Sequence, residues 1–161
     1  MSNLPSIDAA RDALRAHVLQ YSLKTGEFTL KSGRTSKWFL DTKQTACRAD
    51  GILLVADVAL SLLPTEINAI GGLTMGADPV AYGIAAVAAT RGRQLRSFSV
   101  RKEAKDHGVT GRIAGALQPG DKVAIVEDTV TRGLSIFEAV DAVREFGAFP
   151  QFITVIVDRG G

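Results

Sequence analysis

The sequence predicts an α/β domain: a central, mostly parallel sheet flanked by helices. Two observations carry this. Segments with helical periodicity alternate with short extended apolar runs along nearly the whole chain, the pattern of strand–helix–strand crossovers. The run "DKVAIVED" is short and continuously apolar before its acids, as strands buried on both faces of a parallel sheet are.

The elements follow in order. Residues 6–20 place Ile7, Ala10, Leu14 and Val18 on one face, with Ser6 or Asp8 available as a cap, which predicts an amphipathic helix. "GEFTLKSGRTSKWFLDTK" reads as two extended pieces around a Ser32-Gly33-Arg34 turn, because Phe, Thr and Trp favour a pleated, half-buried surface. After Asp50-Gly51, "ILLVADVALSLL" is long enough for a helix and is stopped by Pro64; "INAIGG" is then a short strand ending in glycines. "DPVAYGIAAVAATRG" resumes helix with Pro79 in its first turn, where a missing N–H costs nothing. "QLRSFSV" is a strand, a helix over about residues 135–146 follows "DKVAIVED", and "FITVIV" is the last strand. No internal repeat, low-complexity tract or linker interrupts the series.

The totals narrow the function classes. A chain of 161 residues suits one domain, long enough to bury roughly 70% of the surface its unfolded form exposes. Nineteen basic against 17 acidic residues leave a formal charge of +2, so any strong anion site is local and not a global polycation. The single Cys47 excludes an intrachain disulfide framework and points to a reducing cytoplasm. No apolar run approaches the roughly 18 residues of a membrane span, and the first residues lack the cationic start and apolar block of a signal peptide. A soluble cytoplasmic protein is expected, without membrane or nucleic-acid partners.

In open parallel sheets ligands bind beyond the carboxyl ends of the strands, which singles out residues 71–76, 100–107 and 127–135. The string "VAIVEDTVTRGLS" carries the strongest chemistry. Four apolar residues deliver Glu127 and Asp128 to a strand end, and the turn after them enters a helix whose amides and dipole attract phosphate. Thr129, Thr131 and Ser135 add hydroxyl donors, and Gly133 permits close backbone approach. Carboxylates beside a phosphate cradle need another ligand, such as sugar hydroxyls or a magnesium ion; a phosphorylated ribose supplies both groups. A nucleoside triphosphatase would also use an acidic strand end, but no G-x-x-x-x-G-K-[ST] loop occurs in the chain.

"VAIVEDTVTRGLS" resembles the ribose-phosphate motif of type I phosphoribosyltransferases, which use phosphoribosyl pyrophosphate (PRPP). "RKEAKDHG" and "LKSGRTS" are similar to segments of one branch, the orotate phosphoribosyltransferases, and stand in that family's order; neither is typical of the purine enzymes. The resemblance runs from about Thr25 to Arg159. It implies the type I phosphoribosyltransferase fold, with a small N-terminal hood of helix and strands (residues 1–45), a PRPP-binding core (residues 46–161) and a flexible catalytic loop, all in one domain. It also implies transfer of the phosphoribosyl group from PRPP to orotate, with Mg2+ carried mainly on PRPP. Family members continue beyond the strand that ends near "DRGG", so the core is expected to be short there.

The site residues are carried over from the same motifs. Arg101, Lys102, Lys105 and His107 match the mobile loop that covers departing pyrophosphate, where cations lower the barrier as negative charge develops. In the family this loop reaches into the neighbouring subunit, so residues 101–112 are expected to do so in a homodimer. Glu127, Asp128, Thr129, Val130, Thr131, Arg132, Gly133, Leu134 and Ser135 match the PRPP cradle, with Asp128 counted among the catalytic residues. Lys31, Phe39, Leu40, Thr131 and Arg159 match the orotate side, where a flat anionic ring suits an apolar wall, a cation and a planar guanidinium fork. Trp38 is assigned to sheet packing, since neighbouring residues of a strand face opposite ways.

The chain departs from the family pattern at "GGLTMGADPVA", where Thr74 and Met75 replace an aromatic-lysine pair in the pyrophosphate loop. Backbone amides of residues 72–76 are left to bind pyrophosphate as a nest. Arg132 replaces a smaller residue. A regulator on the same fold, binding nucleic acid through a basic face, would give up the catalytic loop that this chain keeps.

Overall fold

The computed structural model describes residues 6–29, 33, 35–105 and 111–160, with only the backbone given for Lys105. Helix α1 (Ile7–His17) is capped by Ser6, whose Oγ accepts from the Ala9 amide at 3.3 Å. It does not stay α-helical to residue 20; a π-helical turn over Val18–Ser22 takes over. That turn brings Ser22 Oγ to Thr45 Oγ1 at 2.7 Å, and His17 Nδ1 meets the same hydroxyl at 3.2 Å.

Strands β1 (Leu23–Thr29) and β2 (Thr35–Leu40) form the expected antiparallel pair, with Leu23 opposite Leu40 and Thr25 opposite Trp38. The register shifts between Thr25 and Phe28, where Gly26 takes φ +152°, a conformation that favours glycine at a bulge. A four-residue helix α2 (Lys43–Ala46) follows, then α3 (Ala49–Leu62).

The remaining elements alternate: β3 (Ala69–Leu73), α4 (Ala77–Thr90), β4 (Arg96–Lys105), β5 (Gly111–Gly115), β6 (Lys122–Val130), α5 (Leu134–Glu145) and β7 (Phe149–Asp158). Their sheet has the order β5-β4-β3-β6-β7; β4 and β5 run antiparallel and the other pairs parallel. Side chains alternate across it as period 2 requires. Ile70, Ala124 and Val126 pack with Val55, Ala59, Val80 and Ile84 from α3 and α4. Ala69, Leu73, Val123 and Ile125 pack on the other face with Ile136, Val140 and Val143 from α5. Close approach within the sheet fixes Gly71: a Cβ there would press on the Phe98 carbonyl and lie 2.7 Å from its ring.

Three features differ from the sequence reading. Strand β6 does not end at the acidic pair but runs on to Val130, because the ten-residue β7 continues the ladder through Thr129↔Val157 and Val130↔Asp158. Strand β4 runs past Val100 to Lys105, so the first half of the expected loop is extended backbone, held by pairing with β5 from Phe98↔Gly115 to Lys105↔Gly111. Neither β5 nor α2 was expected, since "GRIAG" holds one large apolar residue and four residues are too few to show a period.

Sheet order also explains where a ligand goes. From β3 the chain crosses by α4 to β4 on one side; from β6 it crosses by α5 to β7 on the other. The carboxyl ends of β3 and β6 therefore flank the point where the strand order reverses, the usual crevice of such sheets.

Candidate active site

The end of β6 delivers Glu127 and Asp128 to that crevice, both less than a tenth exposed. Residues 131–133 then turn into α5, whose N-cap is Gly133 at φ +72° with no side-chain cap. Only glycine takes this left-handed conformation without strain, and the uncapped first turn presents its amides to an anion. A cavity of about 590 Å³ opens here, lined by Glu127 and by every residue from Thr129 to Ile136. The structure thus brings together the expected cradle of Glu127, Thr129, Val130, Thr131, Arg132, Gly133, Leu134 and Ser135. Arg132 is exposed at its rim.

Asp128 is turned elsewhere and does not line that cavity. Its Oδ2 accepts from Thr42 Oγ1 at 2.9 Å and from Lys43 Nζ at 2.9 Å, while Oδ1 accepts the Thr129 amide at 2.9 Å. Thr42 also meets Thr129 Oγ1 at 2.8 Å; with its one proton given to Asp128, it receives that of Thr129. The β3–α4 loop closes the other side. The Thr74 amide donates to the Val100 carbonyl at 2.8 Å, the Thr74–Met75 peptide is cis, and Met75 is exposed. Gly76 lies so close that a Cβ would press on Glu127 Oε1 and sit 2.6 Å from Asp128 Oδ1.

The two acids titrate apart. Burial, then the hydrogen bond with Asp128, pushes Glu127 up to about 7. For Asp128 burial acts in the opposite sense to its partners, but hydrogen bonds from Lys43, Glu127 and Thr42 outweigh it and hold the carboxyl below its usual range. Lys43 is correspondingly raised by its hydrogen bond to Asp128. Glu127 is thus the acid that keeps its proton to higher pH, and Asp128 the one that stays ionised.

The other expected residues are placed as follows. Arg101 is half-buried, with Nη1 3.5 Å from the Gly111 carbonyl, and Lys102 is exposed. Arg112 anchors the base of the β4–β5 hairpin, donating from Nε to the Arg101 carbonyl at 2.8 Å and pairing with Glu138 of α5. No hydrogen bond or ion pair among the described residues joins Arg101 or Lys102 to the acidic pair. The Lys105 side chain, His107 and Lys31 lie outside the described residues.

Of the residues expected on the orotate side, Leu40 and Arg159 share with Trp38 a groove of about 860 Å³ between α1, β2 and β7. The Arg159 guanidinium stands 4.9 Å from the centre of the Trp38 ring, a cation–π distance. Phe39 faces the other way and packs on Phe28 at 5.7 Å between ring centres. Trp38, read from the sequence as sheet packing, is therefore the aromatic beside Arg159. Thr131, also expected on that side, lines the cavity at the start of α5, and the Arg159 amide donates to the Val130 carbonyl at 3.0 Å, tying the two regions together.

Sequence reasoning missed Thr42 and Lys43. Their segment "DTKQT" has no apolar period and no motif, and Lys43 stands 85 positions from its partner. Polar side chains clustered directly after a strand end were the only signal.

No protein-family model matches the chain. Curated relatives do. The chain is 42% identical over 154 residues to the orotate phosphoribosyltransferase of Streptomyces avermitilis, covering 95% of this chain and 85% of that one. It is 40% identical over 154 residues to the enzyme of that name from Aquifex aeolicus, covering 92% and 84%. Among solved structures, Mycobacterium tuberculosis orotate phosphoribosyltransferase superposes with a TM-score of 0.83 at 35% identity over 93% of this chain and 85% of that one. The same mycobacterial enzyme in complex with PRPP gives 0.76 at 30% identity, covering 92% and 83%. Yeast adenine phosphoribosyltransferase, 16% identical with a TM-score of 0.67 and covering 94% and 89%, shares the fold alone.

Proposed function

The chain belongs to the orotate phosphoribosyltransferase family, and on that footing we propose how its residues divide the work. The reaction transfers the phosphoribosyl group of PRPP to orotate, giving orotidine 5′-monophosphate and pyrophosphate in pyrimidine biosynthesis. One observation carries the assignment of parts: β6 holds an acidic pair near its end, and the turn after Val130 leads through the left-handed Gly133 into the uncapped start of α5. The 5-phosphate sits on the amides and hydroxyls of residues 129–135, and the ribose hydroxyls meet Glu127 and Asp128.

As the bond from C1 to pyrophosphate breaks, positive charge grows on the ribose and negative charge on the leaving group. The carboxylates of the acidic pair stabilise the first, and Arg101, Lys102, Lys105 and His107 the second, in a setting that closure dries. The amides of residues 72–76 receive the pyrophosphate before it leaves. Leu40 and Arg159, with Lys31, hold orotate so that its ring nitrogen faces C1, whereas Phe39, expected there from the sequence, faces away from their groove. Trp38 joins them by supporting Arg159.

Magnesium, when bound, neutralises charge on the departing pyrophosphate. Its carrier would be PRPP's own oxygens, with the oxygen-rich turn of residues 127–131 beside them. Residues 1–161 act as one domain, and the hairpin with residues 101–112 serves the neighbouring site of a homodimer. Lys102 is exposed on that hairpin, which supports the reading. No helix among the described residues is long and apolar enough to cross a membrane, and the exposed free Cys47 suits a cytoplasmic enzyme.

The test follows orotate absorbance in the presence of PRPP and magnesium, with hypoxanthine, xanthine and uracil as controls. Orotate alone is expected to be consumed. A folded sample that leaves orotate unchanged removes the proposal.

A further inference from the structure

Helix α2 joins the hood to the acidic pair. At one end Thr45, fully buried, is held by Ser22 at 2.7 Å and by His17 at 3.2 Å. At the other end Thr42, itself 2% exposed, and Lys43 both reach Asp128 Oδ2. A helix of one turn has no stability of its own, so its position is set by these two sets of bonds and by its packing on α3. Its single cation is thereby fixed on the carboxylate.

An ionised carboxylate offers about four acceptor positions, two on each oxygen. Thr42 and Lys43 fill those of Oδ2, and the Thr129 amide takes one of Oδ1. The fourth position is the one that a ligand hydroxyl contends for with the protonated Glu127 carboxyl, which also bonds Asp128. Without Lys43 the carboxylate is free to rotate and offer either oxygen, and a second negative charge faces an anionic ligand unpaired.

We propose that Lys43 is a positioning residue for PRPP: it holds Asp128 Oδ2 so that the remaining position of Oδ1 receives a ribose hydroxyl. The inference rests on the reading of the acidic pair as the ribose site and adds to it the group that aims it. Lys43 acts through Asp128 and does not touch PRPP. Its side chain is 44% exposed, so its replacement leaves the core intact.

The experiment measures PRPP binding by titration calorimetry, with magnesium, for the wild type, Lys43→Met, Lys43→Arg, Asp128→Asn and the Lys43→Met/Asp128→Asn double variant. Steady-state turnover with orotate runs in parallel. Lys43→Met is expected to weaken PRPP binding about tenfold, the scale of one lost charge-assisted hydrogen bond, and to raise KM for PRPP with kcat within about threefold. Lys43→Arg is expected to restore binding to within about threefold. The double variant should bind no worse than Asp128→Asn within about twofold, because the two residues act as one unit. Unchanged binding in Lys43→Met, losses that multiply in the double variant, or no rescue by arginine each overturn the inference; multiplying losses mark direct contact with PRPP. A wild type that binds PRPP without consuming orotate defeats the orotate assignment alone, and the binding comparison still decides the role of Lys43.

Discussion

Replacing Glu127 by Gln tests the electrostatics of the site through stability. Burial and the bond with Asp128 raise this carboxyl from 4.5 to about 7, which corresponds to on the order of 3 kcal/mol of preference for the protonated form. The sign follows from linkage: between those two values the folded state binds more protons than the unfolded state, so stability falls as pH rises and the loss is complete above about 7. Asp128 is depressed and matters only toward acid; Lys43 is raised from 10.5 and matters only toward strong base. The difference between variant and wild type from about pH 5 to about 8.5 therefore isolates Glu127, since the other titrating groups are common to both. Glutamine copies the protonated acid, with its carbonyl free to accept the Asp128 amide, as Oε1 does at 3.1 Å, and its NH2 free to donate to the Asp128 carboxylate. Glu127→Gln should match the wild type near pH 5 and exceed it by about 2 to 3 kcal/mol near pH 8.5, or roughly 5 to 10 °C in Tm for a domain of this size. Urea melts across the window measure the difference. Parallel curves for the two proteins would refute a raised Glu127.

Two further substitutions separate the parts of the site. Gly76 has an ordinary backbone conformation, so Gly76→Ala acts only through the new Cβ against Glu127 and Asp128; PRPP affinity should fall by about tenfold or more, at a folding cost of about 1 to 3 kcal/mol for overpacking. Calorimetry with PRPP checks it, and retained affinity would detach this loop from the acidic pair. Lys105→Ala should lower kcat by about a hundredfold or more while PRPP affinity changes by less than about threefold, since its partner charge arises mainly in the transition state. An equal loss in binding with unchanged kcat would contradict that role.

What could be read from the sequence was what is written locally. Helices α3, α4 and α5 each bury a face, so their periods appear in the residues themselves, and strands β3 and β6, buried on both faces, appear as short apolar runs, as does "FITVIV" of β7. The phosphate cradle was legible for the same reason, since acids, hydroxyls, glycine and helix start all fall within residues 127–135. The extension of β4 through "RKEAK" was not legible, because no buried apolar residue marks it; the strand pairs with β5 again only at Lys105↔Gly111, after a register shift. The choice between Trp38 and Phe39 turned on which face of β2 looks toward β7. Alternation says only that the two rings face opposite ways; packing of the hood on the core decides which is which. Lys43 was hidden most deeply, because nothing in a polar turn announces a partner on a distant strand.

That hidden partner resolves the oddest feature of the sequence, two adjacent carboxyls beside a site for a polyanion. Left in water, both would be ionised at neutral pH, and a ligand carrying phosphate and pyrophosphate would be repelled from the crevice that must hold it. The fold removes most of that charge in two different ways. Glu127 is buried where its ionised form is disfavoured, which pushes it up to about 7. Asp128 stays ionised, but Lys43 stands 2.9 Å from its Oδ2 and cancels its charge at a distance. What remains is a set of directional acceptors with little net field. On the proposed reading, these can take ribose hydroxyls without opposing a phosphate on α5, and a carboxylate stands where it would respond as positive charge develops on the ribose in the transition state.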